Sequence, residues 1–411
     1  MAEDLERTTM SPEAPTEAPR RTSMLLRLLE EQSPAARVLA ARPPLERPVE
    51  EPVRFPFLAI VGQTEMKLAL VLALINPAIG GVLLMGARGT GKTTAVRGLL
   101  DLLPSVERSL CPYGCEPEAA YTLGFHTICK DCARKLGEGE PITAPDRMRL
   151  IELPLNARLE DVIGGIDEQA AMEHGKVRIR RGLLAQADQN VLYVDEVNLL
   201  DLQIINAILD AAALGRYTVR RGPLAATYRA RLTLIASMNP EEGPLRPQIH
   251  DRFGLRVVVR GLQDPEARLE VYRRVRLFRT NPYELAARWA HETAAAAAEI
   301  AAARQRLPRV AIPTELEREA IGWIQALGIE SSRAEVALLE AARAYAAADG
   351  RETVTLEDLR AVAPMALRQR RSAFISAFLS EQDAEDAEIR AVVNGRPRRP
   401  PRRRKAAASS P

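Results

Sequence analysis

The sequence predicts two domains in order: an α/β domain, with helices on both faces of a parallel sheet, and then an all-helical domain. Three observations carry this. Apolar, β-branched runs at Val191–Asp195 and Arg231–Met238 read as strands buried in a parallel sheet, and helical stretches separate them. From Pro265 onward the pattern turns helical, broken by Pro282 and Pro308. Aromatics are only 4% of the 411 residues while Ala and Leu abound, which favours helix, and the length suffices for two cores.

Residues 1–52, rich in Pro, Glu, Ala and Arg, are expected to be a mostly disordered extension with one short helix around Met24–Glu31. The α/β domain then spans 53–262. Its expected elements are a helix over Gln63–Ile75, a strand over Gly81–Met85, a helix over Lys92–Leu102, a strand over Met148–Leu153, and a helix over Leu202–Ala213 between the two runs above. A cysteine-containing insertion occupies 108–140. A helical linker and lid fill 263–380, with helices at Thr314–Leu327, Ser332–Ala348 and Leu356–Arg371. Thr355-Leu-Glu-Asp358 is the cap of the last, and Gly350 the stop of the one before. Residues 381–411 form a basic tail, expected to be flexible and ending in Arg-Pro clusters.

Lys plus Arg total 57 against 54 for Asp plus Glu, a net charge of +3, which is no footprint for a broad nucleic-acid surface. The Ala-rich run at 294–303 is interrupted by Glu299 and followed by Arg304, so no membrane span is expected. An acidic, Pro-rich beginning does not read as a secretory leader. The expected location is the cytoplasm, where the four cysteines would be thiols or metal ligands rather than disulfides.

Chemistry concentrates first at Gly86-Ala87-Arg88-Gly89-Thr90-Gly91-Lys92-Thr93, a complete G-x-x-x-x-G-K-T pattern between an apolar strand and a helix. Glycines let backbone N–H groups face the phosphates of ATP, and the helix N-terminus adds partial positive charge. Lys92 is placed to reach the β/γ oxygens and the Thr93 hydroxyl to ligate Mg²⁺; Thr94 completes the cradle. A second element is Val191-Leu-Tyr-Val-Asp195-Glu196, a buried-type strand ending in two acids. Asp195 suits the metal and Glu196 the base that activates water. Asn239, just past the later strand, could position the same water, although before Pro240 it also reads as a plain turn residue.

Taken together, these segments resemble the magnesium chelatase subunit I family of AAA+ ring ATPases. The matching pieces include Ile60-Val-Gly62-Gln63, the phosphate loop, Val194-Asp-Glu-Val-Asn-Leu-Leu200, Met238-Asn-Pro-Glu-Glu-Gly243, Leu245-Arg-Pro-Gln248, Asp251-Arg-Phe-Gly-Leu255 and Ser332-Arg333-Ala-Glu335, over about residues 53–375. The resemblance implies an AAA+ core followed by a helical lid, assembled as a hexameric ring. It further implies work with a D subunit, and ATP turnover driving Mg²⁺ insertion into protoporphyrin IX on a porphyrin-binding H subunit, in (bacterio)chlorophyll synthesis. By the same resemblance Asn239 is the sensor-1 residue and Arg252 the finger acting on a neighbouring subunit. Arg333 is the lid's sensor-2 arginine, and Gly62-Gln63 opens the adenine pocket. Gly175–Gly182 and Arg216–Arg231, both rich in alternating basic and apolar residues, are candidates for the family's hairpin insertions, with ordinary surface hairpins as the alternative. Ala334 stands where Gly is expected after the lid arginine. A MoxR-like AAA+ chaperone remodelling a protein partner is the rival reading.

Cys111-x3-Cys115-x13-Cys129-x2-Cys132 lies in the insertion. Two close pairs at this separation suit a tetrahedral Zn²⁺ site, with His126 as a possible substitute ligand; reduced thiols or a redox-sensitive pair are the alternative.

Overall fold

The computed structural model describes residues 53–167 and 179–371, with Leu25, Met172 and scattered positions between 378 and 390. The expected extension (Leu25 excepted), residues 175–178 of the first expected hairpin and the end of the basic tail lie outside the described residues.

Five parallel strands form the central sheet: β1 (Val82–Met85), β4 (Leu150–Leu153), β7 (Val191–Val194), β10 (Thr233–Met238) and β11 (Leu255–Val258), in the order β11-β1-β10-β7-β4. Among the described residues three two-stranded ribbons complete the set: β2 (Ser105–Ser109) with β3 (Thr143–Arg147), β5 (Gly164–Ile166) with β6 (Ile179–Arg181), and β8 (Arg216–Arg221) with β9 (Leu224–Arg229).

The pleat sorts the sheet's side chains between two cores. Val82, Leu84, Val191, Tyr193, Ile235, Leu255 and Val257 face one core, while Leu83, Met85, Leu192, Val194, Leu234 and Ala236 face the other. Because every second residue points the same way, a strand covered on both sides is apolar at most positions. Helix α1 (Thr64–Ile75) packs into the first core. α7 (Leu202–Leu214) packs into the second through Ile204, Ile205, Ile208 and Leu209. Between them in sequence run α2 (Lys92–Gly98), α3 (Pro117–Leu123), α4 (Lys130–Gly137), α5 (Leu159–Ile163) and α6 (Leu183–Gln186), and α8 (Pro247–His250) follows β10. This is the expected α/β core, followed in the chain by the helical lid.

The lid comprises α9 (Pro265–Thr280), α10 (Pro282–Arg306), α11 (Thr314–Ala326), α12 (Arg333–Ala348) and α13 (Leu356–Leu367). Its small residues Ala337, Ala341, Ala342 and Ala344 are buried and continue the first core without interruption. Leu25 is helical, fully buried in that same core, and its amide donates to Glu299 Oε2 at 2.7 Å. That position of the expected extension is thus docked on α10.

Two boundaries differ from expectation by more than two residues. The helix after the phosphate loop tightens into a 3-10 turn over Leu99–Leu102. The last lid helix ends at Leu367 rather than Arg371, because Arg368 turns extended and its guanidinium crosses to Glu65 Oε1 at 2.5 Å and Arg256 O at 3.1 Å.

α13 starts with a capping box: the Thr355 side chain accepts from the Asp358 amide, and Asp358 accepts from the Thr355 amide at 2.8 Å. Asp358 is 1% exposed and also receives Arg351 Nη1 at 2.8 Å and Nη2 at 2.5 Å. Asp358→Asn removes the charge and orphans part of the guanidinium. It is expected to cost about 2–3 kcal/mol of lid stability. Urea unfolding followed by tryptophan fluorescence reads this directly, since both tryptophans, Trp289 and Trp323, lie in α10 and α11. An unchanged midpoint would refute the role.

Candidate nucleotide site

The phosphate loop runs from the C-terminal end of β1 to the N-terminus of α2. Gly86 allows its close approach to the neighbouring strand's end: a Cβ there would meet Val259 O at 2.2 Å. Gly91 caps α2 with φ +89°, a conformation that favours glycine. Around Gly89 and Gly91 a Cβ would meet nothing within 4 Å, so the crest of the loop is open. Ala87, Arg88 and Gly89 are exposed, Thr90 bonds back to Ala87 O at 2.9 Å, and Thr94 faces outward on the helix. Lys92 is folded into the loop: its Nζ donates to Gly86 O at 2.6 Å and Ala87 O at 3.0 Å. Burial lowers its pKa, opposed by the charges of Asp195, Glu196 and Glu242.

The structure brings Thr93 and Asp195 together, with Thr93 Oγ1 donating to Asp195 Oδ2 at 3.3 Å. Sequence reasoning missed two residues that hold this pair. The Tyr193 hydroxyl donates to Asp195 Oδ1 at 2.8 Å and lies 3.2 Å from Thr93 Oγ1; burial pushes its pKa above the ordinary range. Ser237 donates to the same carboxylate oxygen and accepts from the Glu196 amide at 3.2 Å. The signal was there: Tyr193 is two residues before Asp195 on a strand, so both share a face, and Ser237 interrupts an apolar run. A carboxylate held by two hydroxyls next to a threonine is a donor set of hard oxygens, the kind Mg²⁺ takes.

Glu196 leaves the strand at φ +48°, left-handed for a residue with a Cβ. Its carboxylate lies at the loop crest, where Arg88 Nη2 is 3.5 Å from it and also pairs with Glu242. Asn239 is 3% exposed at the end of β10. Its Oδ1 accepts from the Glu241 amide at 3.3 Å, and Asn198 fastens the following turn through Asn239 O and Gly243 O, each at 3.3 Å.

Beside this lies a cavity of about 410 Å³ lined by Gln63, Met66, Val258, Arg260, Leu262 and Arg368 among others. Gly62 and Gln63 both take positive φ there, and Gln63 Nε2 donates to Arg260 O at 2.7 Å.

The two remaining arginines sit apart from the loop. Arg252, after α8, pairs with Asp210 of α7. Arg333 opens α12 and donates to Asp251 Oδ2 at 2.9 Å. Asp251 is a hub that sequence did not single out. It also accepts from Ser331 at 2.7 Å and Arg370 at 3.0 Å, and Arg256 stands 3.6 Å away. Burial raises its pKa, but these partners outweigh that and hold it below the usual carboxylate value.

The four cysteine sulfurs of the insertion also converge, all within 4.8 Å of one another, Cys115 and Cys132 being buried. Of the expected hairpins, Arg216–Arg231 is present as β8–β9, and Ile179–Arg181 pairs with Gly164–Ile166.

Residues 79–225 match the AAA domain family and residues 323–392 the AAA lid domain family. The chain is 41% identical over 334 residues to a magnesium-chelatase subunit ChlI homolog of Methanocaldococcus jannaschii, covering 80% of this chain and 90% of that one. It is 42% identical over 317 residues to the magnesium-chelatase 38 kDa subunit of Acidiphilium rubrum, covering 77% and 90%. Among solved structures, a chain of the complex between subunits BchI and BchD of magnesium chelatase shares 38% identity, covering 78% of this chain and 98% of that one, with a TM-score of 0.43. With relatives this similar along nine-tenths of their length, the chain belongs to the magnesium chelatase subunit I family of AAA+ ATPases.

Proposed function

We propose that the chain is the ATPase motor of a magnesium chelatase, hydrolysing ATP to drive Mg²⁺ insertion into protoporphyrin IX in (bacterio)chlorophyll synthesis. The observation that carries the site chemistry is the Thr93–Asp195 contact at 3.3 Å, directly below an open phosphate loop. The cofactors are ATP and its Mg²⁺, an ion distinct from the one inserted.

The residues divide the work. Backbone amides of 87–93 and the Lys92 ammonium take the phosphates; Lys92 leaves the loop carbonyls to do so. Thr93 and Asp195 would hold the nucleotide's Mg²⁺, which would neutralise phosphate charge. Glu196 takes the proton of the attacking water, with Asn239 fixing that water's orientation. Gln63 lines the cavity that would receive the base, and Gly62 sets the turn leading into it. Arg252 reaches across to a neighbouring subunit's site in a hexameric ring, exchanging Asp210 for a γ-phosphate, and Arg333 exchanges Asp251 for the nucleotide when the lid closes. The partners are a companion AAA+ D subunit and a porphyrin-binding H subunit, in the cytoplasm. We also read the four-thiol cluster as a structural Zn²⁺ centre.

Reconstitution with D and H subunits tests the reading, with Mg-protoporphyrin fluorescence as the readout. ATP-dependent product is expected. No product from partners that are active with another I subunit would refute it and return the MoxR-like alternative.

A further inference from the structure

Resting on the zinc reading, we infer that the ion is a clamp: it fixes the Cys111–Cys115 turn, and that turn grips the β8–β9 hairpin where the chain enters β10. A tetrahedral site with Zn–S bonds of about 2.3 Å has sulfur–sulfur edges of about 3.8 Å. The four sulfurs, all within 4.8 Å of one another, need only small adjustments to reach it. Three sulfurs already receive backbone N–H groups. Tyr113 N lies 3.3 Å from Cys111 Sγ, Cys129 N 3.3 Å from Cys115 Sγ, and Cys132 N 3.5 Å from Cys129 Sγ. Such donors stabilise thiolate charge on metal ligands. Each ligand loses its thiol proton to solvent as the Zn–S bond forms, so binding is redox-neutral.

The insertion has only a small apolar core. Its own core is Ala120, Ile128 and Ile142 with the cysteines, and Tyr121, Leu123 and Phe125 are exposed. So small a cluster is the setting in which a metal substitutes for apolar burial.

The same turn is fastened to the hairpin at several points. Arg229 N donates to Tyr113 O at 3.1 Å, and the Tyr113 ring stacks on Tyr228 with centroids 5.6 Å apart. Glu116, next to Cys115, pairs with Arg229 and with Arg231 at 2.8 Å. Gly114 completes the fit, since a Cβ there would strike Arg229 Cβ at 2.7 Å. From Arg231 the chain continues into β10, which carries Ser237 and leads to Asn239. The metal thus stiffens the far end of the strand that delivers two residues to the nucleotide site.

The test uses the full chain, purified without chelator, with zinc measured by mass spectrometry and backbone hydrogen exchange read by peptide. About one zinc per chain is expected. Stripping it with excess phenanthroline should speed exchange over 216–231 by about tenfold or more while leaving β7 protected. Glu116→Gln, which spares every thiol, should keep the zinc and reproduce the loosening over 224–231. Less than a tenth of an equivalent of zinc in freshly purified protein overturns the zinc centre and the clamp with it. Zinc that is present and removable without faster hairpin exchange overturns the clamp alone, as does loosening that extends equally to β7.

Discussion

Glu196→Gln is expected to bind ATP as tightly as the unaltered chain and to hydrolyse it about 10²–10⁴ times more slowly. The amide keeps the volume and the hydrogen-bonding reach of the carboxylate but cannot take a proton. The left-handed backbone at φ +48° stays in place, because it is held by the Glu196 amide on Ser237 at 3.2 Å, which the substitution does not touch. Asp195 keeps its own hydroxyl partners, so the side of the site proposed to hold Mg²⁺ is unchanged. One contact is altered on the surface, where Arg88 loses the charge of Glu196 but retains Glu242. At such exposure that is worth about 0–1 kcal/mol and leaves affinity nearly intact. Equilibrium binding of a fluorescent ATP analogue, set beside phosphate release, separates the two effects. Turnover within a few-fold of the original would remove Glu196 from the role of base.

The parts of this site legible in sequence are those whose chemistry dictates a local pattern. A phosphate cradle needs glycines, a lysine and a hydroxyl within one turn, and a buried parallel strand that ends in an acid announces itself by its apolar run. What stayed hidden depends on contacts between distant segments. β11 escaped because Arg256 sits inside it, and a charged residue reads against a buried strand. The structure buries that arginine completely by giving its Nε to His250 O and its Nη1 to Arg368 O, both at 2.8 Å. Burial pushes its pKa down to about 10, still ionised in any neutral solution. Nothing local in the sequence distinguishes Asp251 from its neighbours; its importance comes from Ser331, Arg333 and Arg370, at least 80 residues away. The four cysteines show the converse. Their spacing allowed either a metal site or loose thiols, and only their convergence within 4.8 Å favours the metal.

Arg252→Ala should lose about 10³–10⁵ in hydrolysis with nucleotide binding retained, and the loss should be repaired by mixing. In the single chain Arg252 is engaged with Asp210 on α7. Its side chain is 30% exposed and Asp210 60%, so the pair is weak enough to be exchanged for a γ-phosphate at a subunit boundary. If the finger acts across that boundary, each site draws Glu196 from one subunit and Arg252 from the next. An equal mixture of Arg252→Ala and Glu196→Gln chains, both inactive alone, then contains intact sites wherever an Arg252→Ala subunit supplies the base and a Glu196→Gln subunit the finger. Random assembly makes that about a quarter of all boundaries, so phosphate release should recover toward a quarter of the original rate, far above either parent. Should the mixture stay at the parental level, Arg252 does not work on a neighbour's nucleotide. The defect must also be kinetic rather than structural: ring assembly with ATP, read by sizing, should be unaltered. Asp210→Asn adds the complementary control, because freeing the arginine from its resting partner should leave turnover equal or raise it, whereas a loss comparable to that of Arg252→Ala would make the ion pair itself the essential feature.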